Sequence, residues 1–156
     1  MPAMTTPDAS PARPPVSADD PRRLGLADLA GRLIGGLAAL ARTYEAAAQH
    51  AHGALQQALG ELARAKASQV AVLAPLARSL GVVGGPPPAP VPVPETPPAW
   101  GVILGEAFQA ERTMEWGSRE LAVLAEDPTI QALAILLATG LGRDLGEVRK
   151  LYLRYT

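Results

Sequence analysis

A proline-rich run from Gly84 to Pro98 constrains the fold of this chain more than any other feature. It reads GGPPPAPVPVPETPP, with proline at 86, 87, 88, 90, 92, 94, 97 and 98. Because proline fixes φ and lacks a backbone donor, neither a helix nor a central strand can form across it. The run is therefore predicted to be an extended, polyproline-like linker between two halves of the chain.

The length of this linker, residues 84–98, predicts how the two halves meet. At ~3.1 Å per residue it reaches roughly 46 Å, and a helix of about 27 residues is roughly 40 Å long. Antiparallel neighbouring helices need only ~2–8 connecting residues. A stiff spacer of this length favours a crossover that returns along a whole helix, so that the flanking helices run parallel. A spacer between two independent helical hairpins is the alternative.

Apolar residues recur at the three-four spacing of a helix face in four segments of the chain. The fold class predicted from them is all-α, a four-helix bundle with a long proline-rich crossover between helices 2 and 3. Proline inside the second segment, at Pro75, predicts a kink, and three glycines suggest a break of the fourth near 140–143. The predicted helices span about 22–51, 54–81, 99–126 and 129–155.

Composition narrows the functional class of this 156-residue chain. The first 20 residues are rich in Pro, Ala, Ser and Asp, so residues 1–20 are expected to be a disordered tail, with the bundle in residues 21–156. No transmembrane segment or secretory signal is recognisable, and a cytoplasmic location is expected. A balance of 14 basic and 15 acidic residues gives no reason to expect a nucleic-acid partner. The absence of cysteine excludes thiolate metal sites.

Polar residues interrupt three of the four apolar stripes. Lys66 and Gln69 do so in the second helix, Glu111 in the third and Asp144 in the fourth. If the second and third helices run parallel and start level, Lys66 and Glu111 both lie ~18 Å from that end. The fourth helix runs the other way and brings Asp144 to a similar depth. The sequence therefore predicts one central polar layer.

The layout of residues 22–155, and the second-helix segment ELARAKASQVAVLAPLARSLG, resemble the ferritin-like and rubrerythrin-like superfamily. That family holds two metal ions with a Glu from each of two helices and a Glu-x-x-His from each of the other two. The resemblance implies a ferritin-like bundle. It also implies that the family's metal ligands correspond to four positions in this chain, one on each helix. They are Leu37 or Leu40, Lys66 with Gln69, Glu111, and Leu141 with Asp144.

At those positions the family's ligand set is degenerate. Two divalent ions need about six hard oxygen or imidazole ligands, whereas this layer offers two carboxylates, one amide and one ammonium. We therefore expect a vestigial layer of Lys66, Gln69, Glu111 and Asp144, with no catalytic residue, metal or cofactor. Each residue also has an alternative to a place in such a layer. Lys66 could extend to solvent from the edge of its apolar stripe, Gln69 could form a hydrogen bond to a neighbouring helix, and Glu111 could be exposed to solvent.

Three functional hypotheses follow from these expectations. The first is a non-catalytic structural, assembly or binding subunit, either a homo-oligomer or one bound to a protein partner. The second is an atypical dimetal oxidoreductase or iron-handling protein, with iron held by Glu111, Asp144, Glu45 and His50. The third is a peripheral helical protein that binds lipid or an apolar ligand. The residues expected to serve packing or a subunit interface are Trp100, Phe108, Met114 and Trp116.

Overall fold

The protein is described by a computed structural model over residues 21–82 and 99–156. The expected disordered tail, 1–20, and the whole of the linker, 84–98, lie outside these ranges. The described residues form four helices and no strand, which confirms the all-α prediction. The helices are α1 (Pro21–Ala48), α2 (Gly53–Ser79), α3 (Trp100–Leu124) and α4 (Pro128–Tyr155).

The end of α2 shows how local chemistry sets a helix boundary. Gly81 adopts a φ of +79°, a left-handed conformation that only glycine reaches without strain. Its N–H donates to the Arg78 carbonyl at 3.1 Å, and the N–H of Val82 donates to the Ala77 carbonyl at 2.9 Å. This pair of bonds is a Schellman cap. It ends α2 at Ser79, close to the predicted end.

The start of α4 is equally well specified. Asp127 precedes Pro128 at the first turn, and its Oδ1 accepts a hydrogen bond from the Thr129 N–H at 2.7 Å. From there α4 runs unbroken to Tyr155, so the interruption suggested around 140–143 is absent. Each glycine costs about 1 kcal/mol of helix propensity. Packing of the buried neighbours Leu137 and Leu141 offsets that cost.

Contacts between helices define the directions in which they run. α1 packs on both α2 and α3, and α4 packs on both α3 and α2. A Cβ added at Gly117 would lie 2.9 Å from Leu33, and one at Gly36 would lie 2.5 Å from Met114. Positions therefore rise along α1 as they fall along α3, which makes this pair antiparallel. Since the short connection 49–52 also makes α2 antiparallel to α1, α2 and α3 point the same way.

The buried apolar residues form two clusters, one toward each end of the bundle. The first apolar cluster comprises Leu40, Tyr44, Ala47, Ala51, Leu55, Leu59, Leu62, Ala63, Leu104, Ala107 and Val148. The second apolar cluster comprises Leu29, Leu33, Leu37, Leu73, Leu76, Leu121, Ala134, Leu137 and Leu141. Within the described ranges, no helix is both long and apolar enough to span a bilayer.

Candidate functional site

Three charged side chains lie between the two apolar clusters. Lys66 and Glu111 are 0% exposed and Asp144 is 9% exposed. On each of their helices they lie between a residue of the first cluster and one of the second. Lysine, glutamate and aspartate are almost never buried unless they are paired. Their partners therefore decide what this layer can do.

The Lys66 ammonium is the centre of the layer. Its Nζ donates to Gln69 Oε1 at 3.0 Å and to Asp144 Oδ2 at 2.7 Å. It also lies 2.7 Å from Glu111 Oε2. An ammonium has three N–H donors, and here three oxygens from three side chains surround it.

Glu111 links Lys66 to the first helix. Its Oε1 accepts a hydrogen bond from the Tyr44 hydroxyl at 2.7 Å. Its Oε2 lies 2.7 Å from Lys66 Nζ but has no well-directed hydrogen bond among the described residues. We therefore treat the Lys66–Glu111 contact as a coulombic ion pair. Such a pair is strong when desolvated, because little solvent screens it.

Asp144 and Gln69 complete the layer between α2 and α4. The Asp144 Oδ2 accepts from Gln69 Nε2 at 2.9 Å as well as from Lys66. The missing side chain of Gly140 leaves room for this contact, since a Cβ there would lie 3.4 Å from Gln69 Nε2. The amide of Gln69 thus bridges the two charged groups, accepting from one and donating to the other.

The electrostatic balance of the layer is uneven. One ammonium faces two carboxyl groups, so the three carry a net charge of −1 when all are ionised. Burial raises the pKa of Glu111 above its ordinary value, and the charge of Lys66 opposes that rise. Burial, followed by the nearby charge of Glu111, also raises the pKa of Tyr44. Tyr44 is therefore a neutral phenol that donates its proton in the hydrogen bond.

The structure brings all four residues of the expected vestigial layer together. Lys66, Glu111 and Asp144 meet directly, and Gln69 joins them. Lys66 does not reach solvent at the edge of its stripe, because its side chain is 0% exposed. Glu111 is likewise buried rather than solvated.

The sequence pattern does not reveal Tyr44 as a polar partner, because its ring continues the apolar spacing of the first helix. The Tyr44 ring does belong to the first apolar cluster, but its hydroxyl bonds to Glu111. The available signal was chemical, because a buried tyrosine needs a partner for its hydroxyl. No local pattern, however, names a partner 67 residues away.

The alternative iron ligand set does not come together. Glu45 is exposed whereas Glu111 is fully buried. Throughout residues 21–82 and 99–156, no group of three or more His, Cys, Asp or Glu side chains could hold a metal ion. His50 lies beyond the end of α1 at Ala48, so it does not continue the helix that carries Glu45. Within the described residues, Glu111 and Asp144 therefore meet at Lys66, but Glu45 and His50 do not join them in a group that could hold a metal ion.

The residues of the layer do not suit the iron that a ferritin-like resemblance implies. A divalent cation requires several oxygen or imidazole ligands. Here the two carboxylates already contact an ammonium, which would repel such an ion. The donor set therefore fits an internal lysine and not a metal.

Comparison with known proteins adds no relative to this picture. No protein-family model, curated protein sequence or solved structure matches the chain. The ferritin-like resemblance consequently rests on the sequence layout alone.

Proposed function

We propose that this chain is a non-catalytic, ferritin-like helical-bundle protein that acts as a structural, assembly or binding subunit. The observation that carries the proposal is the position of the Lys66 ammonium. It lies within 3.0 Å of oxygens from Gln69, Glu111 and Asp144, the polar groups on which dimetal chemistry would depend. The lysine thus occupies the centre that a metal pair would need.

The polar layer is also poorly placed for general acid–base catalysis. A general acid or base must reach the proton that it transfers in a bound substrate. Lys66 and Glu111 are 0% exposed and engage each other, which leaves them out of reach of a substrate. A buried, mutually paired cluster fits a role in specifying how the helices pack.

A subunit role further requires a surface on which to assemble. Nine large apolar residues are exposed in the described chain, and eight of them belong to α3 and α4. Scattered apolar residues on a surface are ordinary, but their concentration on two of the four helices favours a binding surface there. This asymmetry supports assembly or binding over an isolated bundle.

Elemental analysis tests the proposal. Purified full-length protein is incubated with iron, manganese and zinc, exchanged into metal-free buffer and analysed for bound metal per chain. We expect no stoichiometric metal, because the ammonium repels cations. Two ions per chain that disappear in Glu111→Gln would refute the proposal and favour the dimetal alternative.

The variant Lys66→Glu sharpens this experiment. It replaces the ammonium with a third carboxylate beside Glu111 and Asp144, and we expect it to bind more metal than the native chain. Lys150→Glu is the matched control, because the Lys150 side chain is 75% exposed. Circular dichroism identifies the samples that are folded. A folded Lys66→Glu variant with no gain in bound metal would contradict the idea that the ammonium excludes cations.

A further inference from the structure

The outer face of the α3–α4 hairpin is unusually apolar for the surface of this molecule. On α1, residues 25–48 contribute no exposed large apolar side chain, and on α2 the described residues contribute Val72. We call the solvent-facing surface of α3 and α4 the outer α3–α4 face, and these two helices carry eight exposed apolar residues. They are Val102, Trp116, Val123, Leu124, Ile135, Leu136, Tyr152 and Leu153.

A groove of about 390 Å³ lies between the two helices of this face. Its lining includes Glu115, Arg119, Ala122, Ile135, Thr139 and Gly142. Small residues on α4 leave the groove open, and its volume falls in the range that accommodates a bulky apolar group. Trp116 follows Glu115 directly in the chain, so a large aromatic side chain lies next to the groove.

We propose that the outer α3–α4 face binds a second copy of this chain in an antiparallel, two-fold arrangement, with each Trp116 seated at the partner's groove. The proposal rests on the assembly role proposed above and names both the surface and the partner. In a two-fold interface the same patch occurs on both subunits, so each patch must complement itself. A protruding aromatic residue beside a groove meets this requirement.

The size of the face matches what a stable dimer needs. α3 has 25 residues and α4 has 28, so the hairpin is roughly 40 Å long at ~1.5 Å per residue. Two helices side by side, each ~10 Å across, make the face about 20 Å wide. The projected area of the hairpin, roughly 800 Å², is large enough to hold the ~800 Å² that each partner buries in a standard protein interface.

The charges along the hairpin favour the antiparallel arrangement. Toward the α3–α4 turn there are three acidic residues, Glu120, Glu126 and Asp127, and no basic residue from 120 to 142. At the opposite end the charged residues are Glu106, Glu147, Arg149, Lys150 and Arg154. A two-fold axis across the hairpin brings each acidic end to the partner's more basic end. Such complementarity selects the antiparallel pairing over the parallel one.

Trp116 is the expected anchor of the interface. It is 62% exposed although it lies near the middle of α3. The Arg112 guanidinium lies 5.2 Å from the centre of its ring and stacks over it. Tryptophan and arginine near the centre of an interface commonly carry most of the binding energy. If the two-fold axis of the dimer passes between Trp116 and the groove, the Trp116 of each subunit lies at the groove of the other subunit.

The oligomeric state of the full chain tests the surface. Sedimentation equilibrium at micromolar concentration should give twice the chain mass of 16.2 kDa. Thr139→Arg fills the groove and Trp116→Ala removes the anchor, and each should weaken the dimer at least about tenfold. Val72→Arg on α2 is the control and should leave the mass unchanged. A monomeric native chain, or a dimer that survives both substitutions on α3 and α4, would overturn the proposal.

Cross-linking tests the antiparallel arrangement, and the absence of native cysteine makes it specific. Chains carrying Glu120→Cys, at an exposed site one helical turn from Trp116, and chains carrying Thr139→Cys, with tags of different mass, are mixed and treated with a short bis-maleimide reagent. We expect a cross-linked mixed dimer, and none when Val72→Cys replaces either variant. Folded, dimeric samples that give no mixed product would refute the seating of Trp116 at the groove.

Metal content measured on the same samples separates this inference from the proposed function. A monomer without metal overturns the dimer and leaves the non-catalytic proposal standing. A dimer with two metal ions per chain supports the dimer and refutes the non-catalytic proposal. If the native chain is monomeric but co-sediments with phosphatidylcholine–phosphatidylserine vesicles, and Leu136→Glu abolishes that binding, the face binds lipid and the dimer proposal fails.

Discussion

The core of this bundle combines two kinds of region that differ in how they hold helices together. The two apolar clusters are built mainly of leucine and alanine and gain their stability by removing surface from water. Between them lies the polar layer of Tyr44, Lys66, Gln69, Glu111 and Asp144, whose contacts depend on distance and direction. Apolar burial is non-directional, whereas a buried ion pair must keep its geometry to offset the cost of desolvation.

The difference matters most for α2 and α3. These helices lie diagonally across the bundle and do not pack against each other directly. Lys66 on α2 nevertheless pairs with Glu111 on α3, and Tyr44 on α1 bonds to the same carboxyl group. Asp144 brings α4 into the same network. The polar layer therefore links all four helices at one height.

The largest expected effect comes from removing the cation. Lys66→Met keeps the length of the side chain but leaves two buried carboxyl groups without it, which should cost ~3–5 kcal/mol of unfolding free energy. Denaturant titration measures the loss. The matched control is Lys150→Met at an exposed site, where we expect a change within about 0.5 kcal/mol. If Lys66→Met lowered the unfolding free energy by less than ~1 kcal/mol, the ion pairs of the layer would contribute no more to stability than contacts on a solvated surface.

Tyr44→Phe should have the next largest effect on stability. The substitution removes the part of Tyr44 that belongs to the polar layer and keeps the part that belongs to the first apolar cluster. The ring stays in the first apolar cluster, but the hydroxyl that donates to Glu111 is lost. A hydrogen bond to a charged group is worth ~1.5–3 kcal/mol, and we expect a loss of that size in thermal or denaturant unfolding. Tyr152→Phe, at a 41% exposed position, is the control. Equal stability of the two variants would show that the hydroxyl contributes nothing.

Gly117→Ala probes apolar packing and should have a smaller effect. The new Cβ would lie 2.9 Å from Leu33 Cδ2, so this buried side chain would have to shift. Overpacking costs ~1–3 kcal/mol, offset by the ~1 kcal/mol that alanine gains over glycine in a helix. Gly35→Ala has no atom within 4 Å of its new Cβ and should gain stability. If both substitutions stabilise the protein, as calorimetry would show, the α1–α3 contact is looser than described.

The smallest expected effect is a dependence of the unfolding free energy on pH, caused by the ionisation of Glu111 in the polar layer. The pKa of Glu111 is raised in the folded state, so the folded protein binds the proton more tightly than the unfolded chain does. Its contribution is fully present below the unfolded pKa of 4.5 and is lost as pH rises through the folded value. Glu111→Gln cannot titrate, so its stability relative to the native protein should improve as pH increases. Urea titrations at a series of pH values measure this difference, and the opposite slope would mean that Lys66 outweighs burial.

Much of the polar layer could be predicted from the sequence, because polar residues interrupt apolar stripes at countable positions. Lys66, Gln69, Glu111 and Asp144 are such interruptions, and equal depth along the helices predicted that they would meet. Tyr44 could not be found in this way, since its ring satisfies the apolar pattern while its hydroxyl does not. Trp116 was expected to serve packing or an interface, and the structure leaves it exposed.

The sequence alone determined the helices and the face that each one buries, since periodicity and caps act over a few residues. The tertiary structure decided which groups meet: which oxygens surround Lys66, and that Tyr44 bonds to Glu111. The physical reason is that a helix specifies the direction of its side chains locally. The height and rotation of one helix against another depend on packing summed over the whole core.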